Sequence, residues 1–161
     1  MKTKIIAFFL FSLCFLSCAT APPPRQIQNS WLIDRPFDDV WQAAIEVLPE
    51  MQLTIAQIEK DSGLITTNAV DLPMGDRTYC DWGKLSWTQI QKGLQGRFTV
   101  YVKKISEAQT ELKIVAVYEI FFDDSMDRAV NRTDRTIYKR PCVSTGKMEA
   151  DFYSKVLARF K

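Results

Sequence analysis

With 161 residues, 47% of them hydrophobic and 25% charged, the chain has room for one globular domain and enough apolar material to give it a core. It contains no histidine, and its 21 basic residues nearly balance 19 acidic ones, for a net charge of +2. That composition excludes histidine-based catalysis and histidine metal ligation, and it lacks the strongly basic footprint of a nucleic-acid binder.

At the start, Lys2 and Lys4 precede an apolar run over residues 5–16, broken only by Ser12 and Cys14, which leads into Leu16-Ser17-Cys18. A run this short, with a charged start and a small residue before a cysteine, reads as a secretory signal and not as a membrane span. Leu16-Ser17-Cys18 resembles the lipobox of bacterial lipoproteins, in which cleavage falls before the cysteine and that cysteine is then acylated. Phe15 departs from the aliphatic residue usual three places before it. The resemblance implies a signal peptide over 1–17, lipidation with palmitate-type chains at Cys18, and anchoring to a membrane without crossing it. Several acyl chains hold firmly, because each buried methylene contributes about 0.8 kcal/mol. An ordinary signal peptide with an incidental cysteine is the alternative. Where an Asp after the lipidated cysteine is the signal for inner-membrane retention, Ala19 favours the outer membrane, with the domain facing the periplasm. Residues 18–29 then read as the lipidated cysteine and a tether, stiffened by Pro22-Pro23-Pro24.

Loss of the leader removes two lysines and Cys14, so the mature chain is close to neutral and keeps Cys80 and Cys142 beyond the anchor. In an oxidising compartment two remaining cysteines suggest a disulfide, which in the chain-entropy model contributes about 4 kcal/mol for so long a loop. Two free thiols, buried or reactive, remain the other reading, because spacing alone does not bring two Cα atoms together.

The domain over 30–161 opens with Ser30-Trp31-Leu32-Ile33, followed by a helical stripe of Phe37, Val40, Trp41, Ala44, Leu48 and Met51. Asp38 and Asp39 are placed to cap that helix and face its positive end. Pro49 predicts a kink or a loosened last turn. Glu46 and Glu50 form a carboxylate pair on its wet side, which ordinarily is a solvated face. A hairpin follows through Asp61-Ser62-Gly63, between β-prone runs at 53–58 and 64–67. Residues 71–96, punctuated by Pro73, Gly75, Gly83, Gly93 and Gly96, read as a long irregular excursion with one short strand. Trp82 and Trp87 lie within it, either as anchors of a partner-binding loop or as packing that pins the loop to the sheet.

Regular alternation returns with Phe98, Val100 and Val102, and again with Leu112, Ile114, Ala116, Tyr118, Ile120 and Phe122. On the latter strand Val115, Val117 and Phe121 leave the second face partly apolar, as a ligand cavity or an interface would require. Asp123, Asp124 and Asp127 begin a mixed-charge loop that lacks the calcium-loop spacing, so no metal and no cofactor is expected. Asn131-Arg132-Thr133 fits a glycosylation sequon, which a bacterial lipoprotein would not ordinarily carry modified. A short strand over 136–142 leads to a last helix, capped by Ser144 or Thr145, whose apolar face carries Met148, Phe152, Val156 and Phe160.

These elements predict an α+β fold: an antiparallel sheet of about five or six strands, with an N-terminal and a C-terminal helix packed on one face. The order is similar to the helix-grip arrangement. Arg35-Pro-Phe-Asp-Asp-Val-Trp-Gln-Ala-Ala-Ile-Glu-Val-Leu, with Asp61-Ser-Gly-Leu-Ile-Thr-Thr downstream, resembles the repeated domain of BamC-type lipoproteins of the outer-membrane β-barrel assembly machinery. Cys142-Val-Ser-Thr-Gly-Lys-Met-Glu is similar to the end of other lipoproteins with that fold. BamC-type chains carry two such domains and a long N-terminal segment, whereas this chain has room for one domain and a short tether. The resemblance implies a non-enzymatic accessory of the cell envelope with an envelope protein as partner. The alternative is a carrier gripping a small apolar ligand between the last helix and the sheet. With neither histidine nor a nucleophile elbow or phosphate loop, an enzyme is not expected.

Overall fold

The computed structural model describes residues 26–72, 78–83, 90–123 and 137–161. Along the chain the elements are β1 (Ser30–Ile33), α1 (Phe37–Glu50), β2 (Ile55–Glu59), β3 (Leu64–Thr67), β4 (Val70–Leu72), β5 (Cys80–Asp81), β6 (Ile90–Lys104), β7 (Thr110–Asp123), β8 (Ile137–Ser144) and α2 (Lys147–Ala158). The fold is α+β, with eight strands in antiparallel pairings and two helices among the described residues.

The long β6–β7 hairpin is the axis of the sheet, whose order is β2-β3-β6-β7-β8-β5. Its two outer edges are each covered by a pair of short strands. β3 takes Thr99 to Tyr101 and β4 takes Leu94 to Gly96 on one side. β1 takes Thr110 to Lys113 and β8 takes Tyr118 to Asp123 on the other. Period-2 alternation buries Phe98, Val100, Val102, Leu112, Ile114, Tyr118 and Ile120. They form one cluster with Val40, Val47 and Leu48 of α1 and with Met148, Phe152 and Val156 of α2.

The sheet is larger than the five or six strands expected, because the stretch over 71–96 is not an irregular excursion throughout. It supplies the end of β4, all of β5 and the first half of β6. Two glycines that look like breaks in the sequence have other roles there. Gly93 takes φ +94° at the register shift between Ile90 and Gly93. At Gly96 a Cβ would come within 2.9 Å of Leu72 Cδ1 and 3.0 Å of the Phe98 ring, so any side chain there would have to displace them.

The helix ends also differ from expectation. α1 starts at Phe37 with Pro36 in the capping position and no side-chain cap, so Asp38 and Asp39 occupy the first turn, favourably placed for the dipole. Pro49 does not break the helix, which runs on to Glu50, because a proline so near the end removes little beyond one hydrogen bond. The helix stops at Gln52, which takes φ +60°. Gln52 N–H donates to Pro49 O at 2.9 Å and Leu53 N–H donates to Leu48 O at 2.9 Å, the paired bonds of a Schellman end. At α2 the capping position belongs to Gly146, with φ +84°, and not to Ser144 or Thr145. Both hydroxyls still serve the helix start: Ser144 Oγ accepts from Gly146 N–H at 3.0 Å and Thr145 Oγ1 accepts from Lys147 N–H at 3.4 Å.

The packed chain begins before Ser30. Asn29 O accepts from Ile114 N–H at 2.9 Å, and a Cβ on Gly146 would meet Ile27 Cγ2 at 2.6 Å. The inner end of the tether is thus docked between β7 and the start of α2.

Candidate functional site

Three features stand out around this frame. The first is a staple. Cys80 and Cys142 form a disulfide with Cα atoms 5.7 Å apart, linking residues 62 positions apart. β5 pairs Cys80 with Ser144 and Asp81 with Val143, so Cys142 lies two residues along β8 on the same side as Ser144. Thr145 adds two bonds to this segment, donating from N–H to Tyr79 O at 3.0 Å and from its hydroxyl to Thr78 O at 2.5 Å. With its backbone drawn onto β8, this segment turns Trp82 into the core, where only 4% of it is exposed. Trp82 therefore offers no surface for a partner, and of the two readings of its loop the packing one describes it. Trp87 and Cys18 lie outside the described residues.

The second feature is a buried polar group beneath the staple. Glu149, in the first turn of α2, is 2% exposed and accepts from Ser144 Oγ at 2.8 Å through Oε1. Its Oε2 has no hydrogen-bond partner among the described residues, and the hydroxyl of Tyr118 has none in good geometry, with Ser144 its nearest side-chain partner. Burial, and then the negative charge of Glu149, hold the Tyr118 phenol far above its ordinary value of 10.0. Tyr118 thus stays neutral throughout the physiological range. Glu149 was not singled out from sequence; the one available sign was a Glu three positions after the Gly146 cap, where such residues favour the helix dipole.

The third feature is the outer face of the sheet. Val117 on β7 and Val143 on β8 flank the Tyr118–Cys142 pair and point the opposite way, at 57% and 58% exposure. Phe121 lies on the same face, with the Lys139 ammonium 5.2 Å from its ring centre. Nearer the β6–β7 turn is a groove of about 670 Å³ with Phe37, Tyr101 and Val115 in its walls. Four lysines line it, Lys60, Lys103, Lys104 and Lys113, against the carboxylates of Asp61 and Glu111. Lys60 reaches out to Asp38 at 2.8 Å and Lys104 to Glu107 at 2.5 Å, while Glu111 accepts from Ser30 Oγ at 2.6 Å. Lys103 and Lys113 have no ion pair among the described residues.

Other candidates from the sequence resolve into structure. Glu46 accepts from Gln42 Nε2 at 3.0 Å and Glu50 pairs with Arg159, so the two carboxylates are exposed and separately engaged. Asp124, Asp127 and Asn131 lie outside the described residues. Among the described residues no cluster of acids and cysteines is arranged to hold a metal ion, and no helix is long and apolar enough to cross a membrane. The room between α2 and the sheet, where an apolar ligand was considered, is filled by Phe98, Tyr118, Phe152 and Val156, all at most 1% exposed.

Set against known proteins, the chain matches no family model and no curated protein.

Proposed function

We propose that this chain is a lipid-anchored, non-enzymatic interaction module of the cell envelope, acylated at Cys18 and held at the outer membrane on its periplasmic side. In this reading both helices grip the inner face of the sheet, as in helix-grip domains, and the outer face is left to meet an envelope protein. The BamC-type resemblance of the sequence points that role toward outer-membrane assembly. The observation that supports it best is the pair Val117 and Val143, two adjacent valines exposed on a face where a solvated sheet would carry polar residues. The disulfide under them stiffens the platform on which they stand. A carrier of apolar ligands finds no support in the tight packing between α2 and the sheet.

A photo-crosslinking residue at position 117 or 143, in cells, tests this reading. A discrete crosslinked protein is expected from both positions and not from position 155 on the opposite helix, and the crosslink from position 143 is expected to be abolished by Val117→Asp. Crosslinks to lipid and to abundant porins alone would sink it.

A further inference from the structure

We infer that the partner met by the outer sheet face is a second copy of this chain, packed face to face across a two-fold axis; the inference deepens the interaction reading above and rests on it. The outward residues of β7 run Glu111, Lys113, Val115, Val117, Glu119 and Phe121, since the buried set is Leu112, Ile114, Tyr118 and Ile120. About its midpoint this row is antisymmetric in charge. Lys113 and Glu119 stand at equal distances on either side of the two valines. Further out, Glu111 is matched at the level of Phe121 by Lys139, which pairs with Phe121 in register and holds its ammonium 5.2 Å from that ring centre.

Two sheets packed face to face are related by a two-fold that runs either along the strands or across them. The first would stack each residue of β7 on its own copy, Lys113 on Lys113 and Glu119 on Glu119. The second reverses the strand, which brings Lys113 over Glu119 of the second copy, Glu111 toward Lys139, and Val115 over Val117. Charge therefore selects the axis across the strands. Packed sheets cross at about 30°, which displaces facing positions at the level of Lys113 by about 5 Å, within reach of a lysine or glutamate side chain. Lys113 has no ion pair among the described residues, and Glu119 has only an exposed contact with Lys139 at 3.5 Å, a weak kind of pair. Arg97, beside the axis on β6, lies diagonal in register to Glu119 on one side and to Asp71 on the other, and these carboxylates of its own copy offset it.

The size of the face and the entry of the tether agree with this arrangement. From Glu111 to Phe121 the row is about 33 Å long and the strands from β3 to β8 add about 20 Å of width, giving roughly 650 Å² per copy and roughly 1,300 Å² in all, within the range of specific interfaces. An axis across the strands also keeps the same sheet edge on the same side of both copies. The chain enters on that side, where Asn29 bonds Ile114 and Ile27 lies against Gly146. Both Cys18 anchors therefore point toward one bilayer, as two copies in one membrane require.

The test sediments the full chain, extracted from membranes in density-matched mild detergent, and sizes the crosslinks formed in cells from position 117. A dimer is expected, with a crosslinked product of twice the mass of the chain. Lys113→Glu and Glu119→Lys are each expected to weaken the dimer at least about tenfold, and an equimolar mixture of the two variants to recover a heterodimer, because each supplies the charge that the other lacks. The two positions lie about 20 Å apart along one strand, so that recovery cannot arise within one copy or from misfolded variants. A parent dimer that both reversals leave intact, or a mixture that stays apart, overturns the outer-face pairing. A monomer whose position 117 crosslinks to a different protein overturns the second copy and leaves the interaction reading standing. A monomer with no discrete crosslink removes both.

Discussion

Trp31 stacks on Tyr153 with ring centroids 4.6 Å apart and planes 7° from parallel, which fastens the first strand of the domain to its last helix. Both rings are half-buried at the margin of the core, so the pair seals the side where the tether arrives. Trp31→Ala is expected to cost about 2–4 kcal/mol, from lost burial and the lost stack. Trp31→Phe should cost less than about 1.5 kcal/mol, since a ring remains to face Tyr153. Urea unfolding midpoints compare the two, and equal losses would show that the stacking partner is irrelevant.

Gly63 ends the β2–β3 turn with φ +67°, and its carbonyl accepts from Val102 N–H at 2.8 Å. A Cβ there would stand 1.9 Å from Val102 O, a backbone atom that cannot step aside. Gly63→Ala therefore combines a left-handed backbone with a direct clash, and a loss of at least about 3 kcal/mol is expected. Gly83 provides the contrast, at φ +72° with open space around it. Gly83→Ala carries only the backbone penalty, about 1 kcal/mol. A thermal melt that ranked the two equally would refute the close approach at Val102.

Much of this frame is legible in the residues themselves, for local reasons. The alternation of Phe98 to Val102 and of Leu112 to Ile120, the stripe on α1 and the Asp61-Ser62-Gly63 turn are patterns that neighbours in sequence impose on one another. The first half of β6 was hidden because Gly93 sits at a register shift and Gly96 under Leu72 of β4, a neighbour brought in by strand pairing and not by sequence. Trp82 was ambiguous until the disulfide drew its segment inward. The groove has no local signature at all. It is assembled from the start of α1, the β2–β3 turn and both central strands, and only pairing registers bring Lys103 and Lys113 to the same rim.

Gln52 is the one described residue other than glycine with positive φ, at +60°, and it terminates α1. Its side chain is exposed, so the strain is not offset by packing. Gln52→Gly is expected to stabilise the domain by about 0.5–1 kcal/mol, because glycine reaches this conformation without the Cβ conflict. A lowered unfolding midpoint would mean that the greater freedom of glycine in the unfolded chain outweighs the relief of strain.

Tyr118 permits a pH prediction whose sign follows from its burial. Its phenol is held above the ordinary value of 10.0 by burial first and by the charge of Glu149 second. In the unfolded chain it would titrate near that ordinary value, so above about pH 10 the folded state retains a proton that the unfolded state releases. The contribution is present in full below pH 10 and is lost as pH climbs, at up to about 1.4 kcal/mol per pH unit. Tyr118→Phe removes this group, so the alkaline decline of stability should be shallower by that slope between pH 10 and 11.5. At pH 7 the same variant is expected to stay within about 1 kcal/mol of the parent, because the hydroxyl it deletes is buried with only Ser144 beside it and in poor hydrogen-bond geometry. Urea midpoints of both proteins across pH 7 to 11.5 separate the cases. Parallel alkaline curves would mean that water reaches the phenol, and the account of Tyr118 as a phenol held neutral by burial would fail.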